Sequence, residues 1–225
     1  MRAAARLALG DLYYHSIRLV PANLAWGVVF LAVAWTAVSI GPAVALLLAP
    51  LLAFPLFAIA RSAGLIVRGR DVVLADAWTA IRDRPARTLV AGTGVTVVIV
   101  VLAVNVLIGA TSGTPIALAL AVLAGWGLVA MWLTALPFFV ILADPLRPDI
   151  ALADAARLAA GLLLVRPGRV LALHLVLVLV LAVSTVLMAA LLTVGVAYAA
   201  LLTARIVLPA ADGIAGVPER ASADG

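Results

Sequence analysis

Hydrophobic and charged positions fall in long blocks along this chain. No charged residue occurs from 20 to 60, and none from 170 to 204. A helix that crosses a bilayer needs about 20 apolar residues. A single helix over the first block would rise ~60 Å, twice the hydrocarbon thickness. Each block therefore folds back on itself. Gly41-Pro42 marks the turn in the first. The second is weakly marked, and its turn is placed at 189–193, beside Gly195. Two shorter runs, 88–110 and 116–142, are joined by the uncharged turn TSGTP at 111–115, and Pro137 predicts a kink. The pattern predicts an all-α, polytopic membrane helix bundle with spans at about 23–40, 43–60, 88–110, 116–142, 170–190 and 193–208. Together these form a membrane domain over 23–208.

Composition supports that reading. The 225 residues are 67 % apolar and 11 % charged, against about 45–50 % and 25 % in soluble domains. Mean hydropathy is +1.28. A soluble domain of this composition could not cover its surface with polar groups. There is no cysteine, hence no disulfide or thiolate metal site. The N-terminus has no uninterrupted apolar stretch ahead of a cleavage site, so the first run is expected to stay as a span.

The charges decide orientation. All 15 basic side chains are arginines, the net charge is +5 and the pI is near 11.0. Six spans place every arginine, and all 10 acidic residues, in the segments 1–22, 61–87, 143–169 and 205–225. Short arginine-rich loops stay inside. Both termini are thus expected in the cytoplasm, with 1–22 as an N-terminal segment and 209–225 as a disordered tail. A five-span alternative would leave Arg205 and Arg220 on the far side and require an overlong helix. The high pI follows from topology, and nucleic acid is not expected as a partner.

The two charged middle segments predict cytoplasmic interfacial helices. Leu74, Ala77, Trp78 and Ile81 share one face of the first, with Asp76, Thr79 and Asp83 on another. Ala151, Ala155, Leu158, Leu162 and Val165 do the same in the second, opposite Asp154 and Arg157. The segments also echo each other. LADA stands at 74–77 and 152–155, and Arg-Pro-x-Arg-x-Leu begins at Arg84 and at Arg166. FPLFAI at 54–59 matches LPFFVI at 136–141, and Pro55 to Pro85 spans the same distance as Pro137 to Pro167. A parallel internal repeat accounts for this; so does chance in a biased composition.

Asn23-x-x-Trp26, Ile40-Gly41-Pro42-Ala43, Trp78-x-x-Ile81-Arg82 and the stretch LPFFVILADPLRPDIALADAARLAAGLLLVRPGRVL together resemble the YesL-like family of bacterial membrane proteins. The likeness runs over about 12–208. Ala77, Ala155 and Ala156 stand where the family tends to carry aromatics and Asn. The resemblance implies a multi-pass plasma-membrane protein with an accessory role in carbohydrate uptake, and it carries over no functional residue.

Charge-free span centres argue against proton-coupled pumps, voltage sensors and intramembrane aspartyl or zinc proteases. No catalytic, cofactor-binding or metal-ligating set stands out, and the chain is expected to be non-enzymatic. His174 is expected to face the interface just inside span five. Gly92 and Thr96 suit close helix contact. Thr93, Thr96, Asn105 and Ser184 are the candidate intramembrane polar contacts. Asp76, Arg82, Asp83, Asp154 and Arg157 are the candidate docking residues. They would meet a soluble cytoplasmic partner or a membrane transport complex, with the lipid bilayer around the spans. The alternative is a permease-like subunit for a neutral solute.

Overall fold

The computed structural model describes residues 2–187 and 190–215. In chain order the helices are α1 (Arg2–Tyr14), α2 (Ser16–Ser39), α3 (Pro42–Leu48), α4 (Ala53–Val67), α5 (Leu74–Asp83), α6 (Pro85–Thr111), α7 (Pro115–Leu142), α8 (Leu152–Val165), α9 (Pro167–Val186) and α10 (Val196–Ala215). A 3₁₀ turn at Ala49–Leu52 joins α3 to α4, and a π-helical turn at Leu191–Gly195 leads into α10. Six helical stretches are long and apolar enough to cross a bilayer. The chain is a multi-pass membrane protein.

Local chemistry sets the span starts. Pro42, Pro85, Pro115 and Pro167 each open a helix, where the missing N–H has no intrahelical partner to lose. Gly41, at φ 139°, supplies the backbone turn before Pro42. Thr114 caps α7, its Oγ1 accepting from the Ala117 N–H at 3.3 Å. Pro50 sits in the 3₁₀ turn of the second span, and α6 packs against that turn at Gly92. A Cβ on Gly92 would come within 2.6 Å of the Ala53 methyl and 2.8 Å of the Pro50 carbonyl oxygen. The small residue foreseen at 92 thus allows two backbones to touch.

The spans are unequally buried. The last is 78 % buried over its most apolar window and the third only 11 %. Leu201, Leu202 and Leu208 are fully enclosed where α10 packs against α4, α7 and α1. On α6, Val97, Val101, Val104 and Leu107 point outward, toward lipid.

The first span begins at Ser16 and the second runs on to Val67, each several residues beyond expectation, and two stretches near the C-terminal end differ more. Residues 209–215, foreseen as the start of a disordered tail, continue α10 through Pro209. Ala210, Ala211 and Asp212 are buried there, so tertiary contact sustains the helix; 216–225 lie outside the described residues. The turn foreseen at 189–193 begins earlier. α9 ends at Val186, Leu187 leaves the helix, and 191–195 are already π-helical; residues 188 and 189 lie outside the described residues. A π turn displaces the backbone hydrogen bonds. Asn23 of α2, fully buried, meets them: its Nδ2 donates to the Leu192 carbonyl and its Oδ1 accepts the Ala197 N–H, both at 2.7 Å. The Asn of the first span is an interhelical clamp.

Candidate functional site

Side-chain chemistry concentrates at the arginine-bearing end, where two connections meet. The first leaves α4 at Arg68 and reverses through Gly69, at φ 67°. The second leaves α7 at Ala143 and turns at Asp144, whose Oδ1 accepts the Leu146 N–H at 3.1 Å. Between them lies a closed tetrad of charges. Arg68 donates to Asp144 at 2.7 Å and to Asp212 at 2.6 Å. Arg147 donates to Asp144 at 2.7 Å and to Asp212 at 2.5 Å. The Asp144 side chain is wholly enclosed, and the other three are nearly so. Two guanidiniums face two carboxylates, so the tetrad is neutral. Burial disfavours the Arg68 charge, but hydrogen bonds and attraction from Asp212 and Asp144 outweigh it and raise its pKa above the ordinary value. The tetrad ties together the ends of α4, α7 and α10. Nearby, Arg205 of α10 pairs with Asp11 of α1 at 2.5 Å, which fixes the N-terminal helix.

The division of labour is consistent. Among the described residues, every side-chain donor between the two connections comes from the first, and every acceptor from the second. Arg61 donates to the Ala143 carbonyl at 3.2 Å. Arg84 reaches the Pro148 carbonyl at 2.5 Å and Asp149 at 2.6 Å. Arg87 donates to the Pro148 carbonyl at 2.7 Å and to that of Ile150. Carbonyls that no helix satisfies are thereby paired. A polar cavity of about 160 Å³ opens between the segments, lined by Arg61, Arg84, Arg87, Asp83 and Asp144 among others.

The candidate docking residues do not share one surface role. Arg82 and Asp83 are exposed on α5. Asp76 turns back to its own backbone and accepts the Val73 N–H at 2.7 Å, capping the helix. On α8, Asp154 and Arg157 are exposed and pair with each other at 3.0 Å. The four intramembrane candidates are not brought together. Thr93 and Asn105 are exposed on α6, where the Asn105 Nδ2 donates to its own helix at Val101. Thr96 is half-buried on that helix, and Ser184 is buried on α9. None of them lines the polar cavity. His174 is buried within the bundle instead of facing the interface. Its Nδ1 bonds the Val170 carbonyl at 2.9 Å, and its ring meets Trp132 edge-on.

The tetrad was not foreseen from the sequence, although two signals were present. Asp144 ends the apolar run FFVILA directly, and Asp212 interrupts an apolar tail. An acid in such a place needs a cationic partner. Comparison with known proteins brings no match to a family model, a curated protein or a solved structure.

Proposed function

We propose that the protein is a non-enzymatic accessory or regulatory component of the bacterial plasma membrane that acts through a rigid cytoplasmic platform. The observation that carries this reading is the buried tetrad of Arg68, Asp144, Arg147 and Asp212, which clamps three span ends together. On that base, α5 presents Trp78, Arg82 and Asp83, and α8 presents Asp154 and Arg157, all exposed. Among the described residues, Thr93, Thr96, Asn105 and Ser184 line neither the polar cavity nor the apolar groove beside it, which favours a binding platform over a solute pathway. The resemblance to the YesL-like family supports a partner among the components of carbohydrate uptake, and the arginine-rich short loops support a cytoplasmic position for both termini.

Site-specific photocrosslinking in living cells tests this. A crosslinker at Trp78 or Arg157 should give one discrete protein adduct, abolished by charge reversal of Arg82 and Asp83. The same crosslinker at Asn105 should label lipid alone. Adducts that are identical at all positions, or a platform that labels only lipid, would overturn the proposal. A fusion reporter at the C-terminus that is active only outside the cell would overturn the orientation.

A further inference from the structure

The polar cavity sets cations against too few anions. Arg61 is half-buried, and its hydrogen bond goes to a neutral carbonyl. Arg87, also half-buried, donates to carbonyls as well. Among the described residues neither has a carboxylate within ion-pair distance. Arg84 pairs with the exposed Asp149. Of the two carboxylates lining the cavity, Asp144 is held by Arg68 and Arg147, and Asp83 is exposed at the rim. Guanidiniums withdrawn from water require a counter-charge, and their planar forks fit phosphate oxygens in pairs. The volume of about 160 Å³ is far above the roughly 10–15 Å³ that one water needs.

A second feature adjoins it on the same helix. Beyond Arg87, Val90, Ala91 and Gly94 begin an apolar groove of about 400 Å³ between α6, α7 and α8. These positions lie roughly 5–10 Å along the helix from Arg87. The hydroxyl in its wall, that of Thr134, is occupied by the Ala130 carbonyl at 2.7 Å. A cationic pocket at the level of the headgroups, followed by an apolar groove running into the leaflet, has the bipartite chemistry of a phospholipid. Arginine-rich pockets between spans take anionic headgroups, and a zwitterionic headgroup would bring a further cation to three arginines.

We propose that Arg61, Arg84 and Arg87 hold the phosphate of an anionic phospholipid from the arginine-side leaflet, with an acyl chain in the groove along Val90, Ala91 and Gly94. The full chain, placed in nanodiscs of equal phosphatidylglycerol and phosphatidylcholine and then released for native mass spectrometry, should retain phosphatidylglycerol about tenfold over phosphatidylcholine. R61Q should lose that preference. R169Q, which removes an exposed arginine at the same end, should keep it. A Cβ on Gly94 meets nothing within 4 Å, so G94L fills the groove without disturbing the arginines and should lose retention too. Should R61Q fail to fold, R84Q and G94L decide. Equal retention of the two lipids by the wild type, or unchanged retention in G94L, would overturn the proposal. So would displacement of the lipid by millimolar inorganic phosphate with G94L inert, which assigns the arginines to a free anion.

Discussion

The two connections between spans begin alike and end in different roles. α5 and α8 both start with LADA after an extended residue, Val73 at ψ 152° and Ala151 at ψ 150°. Both give way to the next span at an Arg-Pro step of nearly the same backbone, Arg84 at φ −141°, ψ 55° and Arg166 at φ −135°, ψ 55°. The local sequence dictates that shared geometry, since Pro disfavours a helical residue before it and suits the turn after it. Their surroundings differ. α8 buries Ala155, Ala159 and Leu162 in the bundle, while α5 leaves Trp78 mostly exposed. The first connection supplies cations, and the second supplies the two carboxylates, Asp144 and Asp149, and the carbonyls that receive them. Two similar segments have thus become complementary halves of one junction. Similar motifs fix local form, and the neighbour decides what each charge is for.

Substitutions that break the junction separate these levels. D144A should have the largest effect, because it leaves Arg68 and Arg147 sharing one carboxylate. Breaking a buried pair costs about 3–5 kcal/mol, read as a large fall in the unfolding midpoint in detergent. R68M/D144L keeps the neutral pair of Arg147 with Asp212 and should be milder than D144A alone, a departure from additivity of about 0.5–3 kcal/mol. If the double variant were as damaging as the sum of its parts, the charge-balance account would be wrong. R87A strands the Ile150 carbonyl, while that of Pro148 keeps Arg84, and should cost about 1–3 kcal/mol, measured in the same assay. D76A removes the cap on α5 and should cost about 1 kcal/mol, with faster amide exchange confined to 73–77. Its LADA counterpart D154A breaks only an exposed pair and should change stability by less than about 0.5 kcal/mol. Equal effects of D76A and D154A would show that the two helix starts are interchangeable after all.

Much of this fold was legible because bilayer physics acts on sequence directly. Spans require length and apolarity, and the Gly41-Pro42, Arg84-Pro85, Thr114-Pro115 and Arg166-Pro167 steps mark boundaries within a few residues of those observed. The last turn was less legible, because 191–195 bend as a π turn held by Asn23, 169 positions from Leu192. The candidate site was legible least. Asp154 and Arg157 could be placed on a helix face by spacing alone. That Asp76 serves its own backbone, or that Asn105 faces outward, depends on packing that spacing does not encode.

The sequence by itself determined an all-helical, multi-pass membrane protein with its charges gathered at one end. Hydropathy and Pro or Gly punctuation are local properties, and a helical span satisfies nearly all of its own backbone. Only the tertiary structure decided which of those charges are buried. Arg68, Asp144, Arg147 and Asp212 come from three stretches far apart in the chain. Their burial is possible because each is neutralised by partners that only the assembled bundle brings within reach.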